Sequence, residues 1–234
     1  MGVFEASELA GGVFHVAPDP AAVAARAARQ VQARAMKLSQ RVRTARAKSE
    51  ADLAALLPAR IEPGDSWHVI SGGNVDSLSY LQHLLGAGPF DHVILSTWCM
   101  SLEDVKQLAD WLHSGRIALL DLYVGEIFPS QYAAAFELLC QVIREHGAGR
   151  VAVFRNHAKV TVAASHQRGE YLVVESSANL NTNPRTEQTA ITASLELAVF
   201  YADFFAGVRS FQRNFDHRQR HAWPSPQAHR AQAH

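Results

Sequence analysis

From residue 66 onward, apolar and polar positions alternate in blocks that switch between two periods. "SWHVISGG" (66–73) predicts a short strand running into a glycine turn. "VDSLSYLQHLLGAG" (75–88) has helical spacing and closes on glycine. "DHVILSTW" (91–98) predicts a strand. "SLEDVKQLADWLHSG" (101–115) predicts a helix with Ser101 as N-cap and Asp104 three residues on, a variant capping box. "RIALLDLYVG" (116–125) is a strand, "PSQYAAAFELLCQVIREHG" (129–147) a helix with Pro129 near its start, and "RVAVF" (150–154) a strand. The alternation then breaks. "HAKVTVAAS" (157–165) and "GEYLVVESS" (169–177) flank a polar turn and predict a hairpin. A polar loop follows, and residues 189–215 predict a closing helix. Buried strands alternating with helices predict an α/β fold with a mixed, mostly parallel sheet sandwiched between helices.

The first 60 residues have a different character. Residues 21–57 predict one long helix, with no glycine or proline before Pro58. Val31, Ala35, Leu38, Val42 and Ala45 form a weak heptad seam. Residues 21–48 hold eight Lys or Arg and no Asp or Glu, and Arg34, Arg41 and Lys48 would align on one helical face. An acid-free stripe of this kind suits nucleic-acid phosphates, and the helix could equally serve as a dimerisation arm. Three parts are expected: 1–60 with the basic helix, an α/β domain at 61–215, and a polar, disordered tail at 216–234 with four histidines.

Composition narrows the class. With 48% hydrophobic and 19% charged residues the chain can bury a real core, and its zero formal charge gives no global pull toward polyanions. Cys99 and Cys140 lie far apart with no C-x-x-C, so they predict small core residues in a reducing compartment. No secretory signal or membrane-length apolar run is present, and a cytoplasmic protein with no membrane partner is expected.

The chemistry concentrates around the hairpin. In a strand, residues i and i+2 share a face, so His157 and Lys159 would lie on one side of the first hairpin strand. The hairpin's open end would bring them to Ser177 and Asn179, with Glu187 eight residues further on. Lysine, serine and asparagine donate well to non-bridging phosphate oxygens. Histidine can attack phosphorus or protonate a leaving oxygen, and a carboxylate can hold its tautomer. With no carboxylate cluster for paired magnesium ions, no metal or other cofactor is expected. Ligands in open α/β sheets bind at the strand carboxyl ends, which places the site edge at Ser71–Asn74, Ser96–Trp98 and Gly125–Glu126.

The stretch 157–187, "HAKVTVAASHQRGEYLVVESSANLNTNPRTE", resembles the signature of the phospholipase D superfamily, an H-x-K motif followed by a G-S-x-N-like segment and a glutamate. The resemblance spans roughly residues 66–210. It implies a phospholipase D-like fold and a two-step reaction through a phosphohistidine. By position, His157 and Lys159 match the motif pair, Ser177 and Asn179 the phosphate-holding residues, and Glu187 the carboxylate partner of the histidine. Ala164 stands where the motif has aspartate, and Ser176 where it has glycine. Members use two H-x-K motifs and this chain has one, so a C2 homodimer would supply the second. With the basic helix, this implies a nuclease acting on nucleic acid, DNA rather than RNA. The alternatives are a non-catalytic nucleic-acid-binding or scaffold protein and, behind it, a lipid phosphodiesterase.

Overall fold

The computed structural model describes residues 42–47, 50–73, 75, 77–181, 185–212, 215 and 223. Its elements follow the chain as β1 (Val42–Ala47), α1 (Glu50–Leu56), β2 (Ser66–Ser71), α2 (Ser77–Leu85), β3 (His92–Thr97) and α3 (Leu102–His113). They continue as β4 (Leu120–Gly125), α4 (Phe128–Gln131), α5 (Ala133–His146), β5 (Gly149–Phe154), β6 (Val160–Ser165), β7 (Glu170–Ser176), β8 (Glu187–Ala193) and α6 (Leu195–Ala206). The strands form one sheet in the order β1-β2-β8-β7-β6-β3-β4-β5.

Pairing is parallel for β1–β2, β3–β4 and β4–β5, and antiparallel for β2–β8, β8–β7, β7–β6 and β6–β3. Only β6 and β8 therefore run against the other strands. One edge of the sheet thus collects the C-terminal ends of β2, β3, β4, β5 and β7 together with the N-terminal starts of β6 and β8. That edge carries the candidate site.

The sheet has helices on both faces, as expected. Leu53, Leu81, Leu108, Trp111 and Leu139 from the helices on one face pack with Val69, Leu95, Leu122 and Ile191. On the other face, Leu195, Ala198, Ala202 and Phe205 of α6 meet Ile94, Tyr123, Val162 and Val173. Helix boundaries follow local chemistry. Ser101 and Asp104 form a complete capping box on α3, and Gly147 ends α5 at φ 74°, where a side chain would be strained.

Three expectations are corrected. The sheet is mixed but not mostly parallel: four of the seven pairings among the described residues are antiparallel, because the β6–β7 hairpin and β8 insert between β2 and β3. The helix over 21–57 is interrupted: residues 42–47 are strand β1, paired in parallel with β2, and among the described residues of that segment the helical ones are 50–56. β-branched Val42 and Thr44 fit a strand, and sheet pairing overrides the helical propensity of the surrounding alanines and arginines. A helical stripe continuing from Arg34 through Arg41 to Lys48 is therefore excluded, although those three residues themselves lie outside the described residues. The disordered tail falls almost wholly outside them as well; Trp223, which is described, packs beside the α6-side core.

The closing helix over 189–215 is also corrected. Residues 187–193 are β8, whose Thr189, Ile191 and Ala193 are buried between more exposed neighbours, and Ser194 then caps α6 through the Leu197 N–H. The run T-A-I-T-A carries a period of two that the following long apolar helix masks. No helix among the described residues is long and apolar enough to cross a membrane.

Candidate active site

The residues at the sheet edge are held by turns and clamps rather than by the strands alone. β6 begins only at Val160, so His157 is not a strand residue, and strand alternation does not set its direction. Asn156 does. Its Oδ1 accepts from the Ala158 N–H at 3.0 Å, closing an Asx turn with exposed His157 at its apex. Lys159 stands one residue before β6, and its carbonyl accepts from the Ser176 N–H at 3.0 Å, which extends the hairpin ladder to the site. The hairpin expected from sequence is present, with Val160 opposite Glu175.

His157 and Lys159 come together closely. The Lys159 ammonium lies 3.0 Å from Nδ1 and 3.3 Å from Nε2 of His157, and it donates to the His157 carbonyl at 2.9 Å. Trp98, just past β3, flanks the imidazole with ring centroids 5.5 Å apart and planes tilted by 56°.

Across the hairpin, the Ser177 hydroxyl donates to the Glu187 carboxylate and accepts from the Gln188 N–H at 3.0 Å. The segment carrying Ser177 and Asn179 is pinned at several points. Ala178 N–H donates to Ser176 Oγ (3.1 Å), Ser77 Oγ to the Ala178 carbonyl (2.6 Å), and Leu180 N–H to Thr97 Oγ1 (3.3 Å). Ala178 and Leu180 are buried on either side of half-buried Asn179. The Asn179 Oδ1 is itself buried with no hydrogen-bond partner among the described residues.

Electrostatics tie the two halves together. Burial lowers the Lys159 pKa from the usual lysine value, opposed by the negative charge available on Cys99 and on Glu187. Burial raises the Cys99 thiol, and a hydrogen bond with Cys99 raises the Tyr132 phenol. The resulting arrangement has an exposed imidazole, a partly desolvated ammonium, a hydroxyl and an amide at one rim, with a carboxylate behind. It can hold an anion at the ammonium and present an imidazole nitrogen beside it.

His157, Lys159, Ser177 and Glu187 thus meet at one edge, and Asn179 lies on the same pinned segment. Arg34, Arg41 and Lys48 lie outside the described residues. The marked strand ends at Ser96–Trp98 and Gly125 do reach this rim. Trp98 was marked only as part of a strand end and Cys99 only as a core residue, and two further participants, Asn156 and Tyr132, were not singled out. Cys99 is a core residue as expected, 1% exposed, yet it also faces Lys159. An asparagine directly before a histidine at a strand end is an Asx-turn signal, and Asn156 was legible on that ground. Tyr132 follows the short α4 and reaches Cys99 only through tertiary packing.

No protein-family model matches the chain, and neither does any curated protein. Among solved structures it is similar to polyphosphate kinase from Porphyromonas gingivalis, at 15% identity and a TM-score of 0.47, over 65% of this chain and 27% of that one. It is also similar to phosphatidylserine synthase from Haemophilus influenzae Rd KW20, at 15% identity and a TM-score of 0.45, over 66% of this chain and 42% of that one. The chain thus matches less than half the length of either.

Proposed function

We propose that this chain is a phosphodiesterase of the phospholipase D type that cleaves nucleic-acid phosphodiester bonds without a metal, in a site completed by a second copy. The observation that carries the reading is the meeting of His157 and Lys159 with Ser177 and Glu187, delivered to one sheet edge by three different strands. In this reading Lys159, Ser177 and Asn179 hold the non-bridging oxygens, where charge grows in the transition state. A His157 imidazole nitrogen attacks phosphorus. The P–N bond forms as the bond to the leaving alkoxide breaks, and the partner's His157 donates a proton to that oxygen. The partner's histidine then takes a proton from water, whose oxygen displaces the imidazole and releases the phosphate ester. Glu187 keeps Lys159 charged and anchors Ser177, and it is the candidate carboxylate partner of the imidazole.

Nucleic acid is the favoured substrate because residues 21–48 carry eight cations and no acid, Arg34, Arg41 and Lys48 among them. DNA is proposed over RNA, and the acting species is a homodimer. The test is nicking of plasmid DNA in EDTA by wild type and His157→Ala side by side. Cleavage by wild type, reduced by on the order of 100-fold or more in the variant, supports the reading. Equal cleavage by both sinks it, and salt-sensitive binding without turnover would replace it with a non-catalytic nucleic-acid-binding protein.

A further inference from the structure

We propose that Asn156 is a positioning residue that fixes His157 at the rim by locking the residues on either side of it to the ends of β3 and β4. The inference rests on His157 being the reacting group proposed above.

Asn156 is 7% exposed, unusual for an asparagine in a loop between two strands. Its Nδ2 donates to the Tyr123 carbonyl at 2.7 Å, to Ser96 Oγ at 3.0 Å and to the Thr97 carbonyl at 3.1 Å. Its Oδ1 takes the Ala158 N–H. Ser96, 3% exposed, donates to the Ala158 carbonyl at 3.0 Å. Both backbone groups of Ala158 are therefore held by buried side chains, and Asn156 is itself anchored to two strands. His157 lies between these fixed points with its ring exposed.

The packing around the tie is equally tight. A Cβ on Gly125 would lie 2.5 Å from Trp98 Cδ1, 2.6 Å from the Trp98 carbonyl and 3.1 Å from the Asn156 carbonyl. The end of β4 can approach Asn156 and Trp98 this closely because residue 125 has no side chain. Trp98 in turn flanks His157. A loop that served only to connect β5 to β6 would need none of this. A nucleophile does, because a displacement of about 1 Å from in-line geometry costs about 100-fold in rate.

The experiment uses the full chain with bis(p-nitrophenyl) phosphate as a simple diester and ¹⁵N-histidine spectra. The His157 resonance is assigned by its loss in His157→Ala. Asn156→Ala is expected to lower kcat by about 100-fold with KM within about twofold, and to shift the His157 resonance alone. Ser96→Ala, which deletes one oxygen of the tie, should lower kcat about 10-fold and decides the matter if Asn156→Ala does not fold. An unmoved His157 resonance with wild-type kcat overturns the inference, as does a shift spread over all histidines, which marks a general structural role. If wild type turns over no diester, the functional reading fails, and the resonance alone decides: a shift confined to His157 sustains the positioning role, and no shift ends it.

Discussion

At the residue scale, Lys159 shows the conflict between stability and the proposed task. Its ammonium is partly desolvated by burial, so its folded pKa is lowered below the usual 10.5 despite the help of Cys99 and Glu187. In the window between that lowered value and 10.5, the unfolded chain binds more protons than the folded one. Stability therefore rises with pH through this window, and the charged ammonium costs stability below it. Lys159→Met is expected to leave the melting temperature unchanged or raised while lowering diester cleavage by about 100-fold. Thermal melts and rates on one preparation check both. Activity needs the charged form, so the rate should fall on the alkaline side at a lower pH than an ordinary lysine would give. In Glu187→Gln, which removes a charge that holds the proton on Lys159, the fall should begin at lower pH still. A pH–rate profile whose alkaline limb does not move in that variant would contradict the coupling.

At the scale of elements, the site depends on how closely strand ends approach. Gly125 closes β4, its N–H donates to the Trp98 carbonyl at 3.1 Å, and an added methyl group would strike both the backbone and the ring of Trp98. Neither can retreat cheaply, since Thr97 and Cys99 on either side of Trp98 are buried. Gly125→Ala should cost about 1–3 kcal/mol in denaturant unfolding, the usual range for overpacking. Because the displaced groups are Trp98 and the Asn156 backbone, activity should fall even where the protein remains folded. Retention of full activity would show that Trp98 and Asn156 do not set the position of His157.

At the scale of the whole molecule, one chain carries one H-x-K motif, and the proposed reaction uses two histidines. If two copies share one composite site, a mixed dimer of wild type and His157→Ala lacks either the nucleophile or the acid. Activity after re-equilibrating equal amounts of the two should then fall to about a quarter of the undiluted wild-type value, the statistical share of fully wild-type C2 dimers. A fall only to half would mean that each chain acts alone. Solution mass gives the same answer independently, and an active monomer would rule out the shared site.

The periodic pattern from residue 66 to 177 determined most of the elements, because strands buried on both faces and amphipathic helices write their periods directly into the sequence. It also placed His157 and Lys159 near Ser177, since the hairpin between them is a local structure whose ends must meet, while Glu187 arrives on β8. It failed where neighbours outside the segment decide. Residues 42–47 are a strand because β2 offers a parallel edge, which an alanine- and arginine-rich sequence does not announce. β8 is a strand because it fills the gap between β2 and β7, although its sequence runs without a break into the apolar α6. Asn156 has partners on β3 and β4, 33 to 60 residues away in the chain, so its anchoring is invisible until the strands are side by side. Local pattern encodes what a segment can become. Long-range hydrogen bonds and burial decide which option it takes and which side chains are held still at the site.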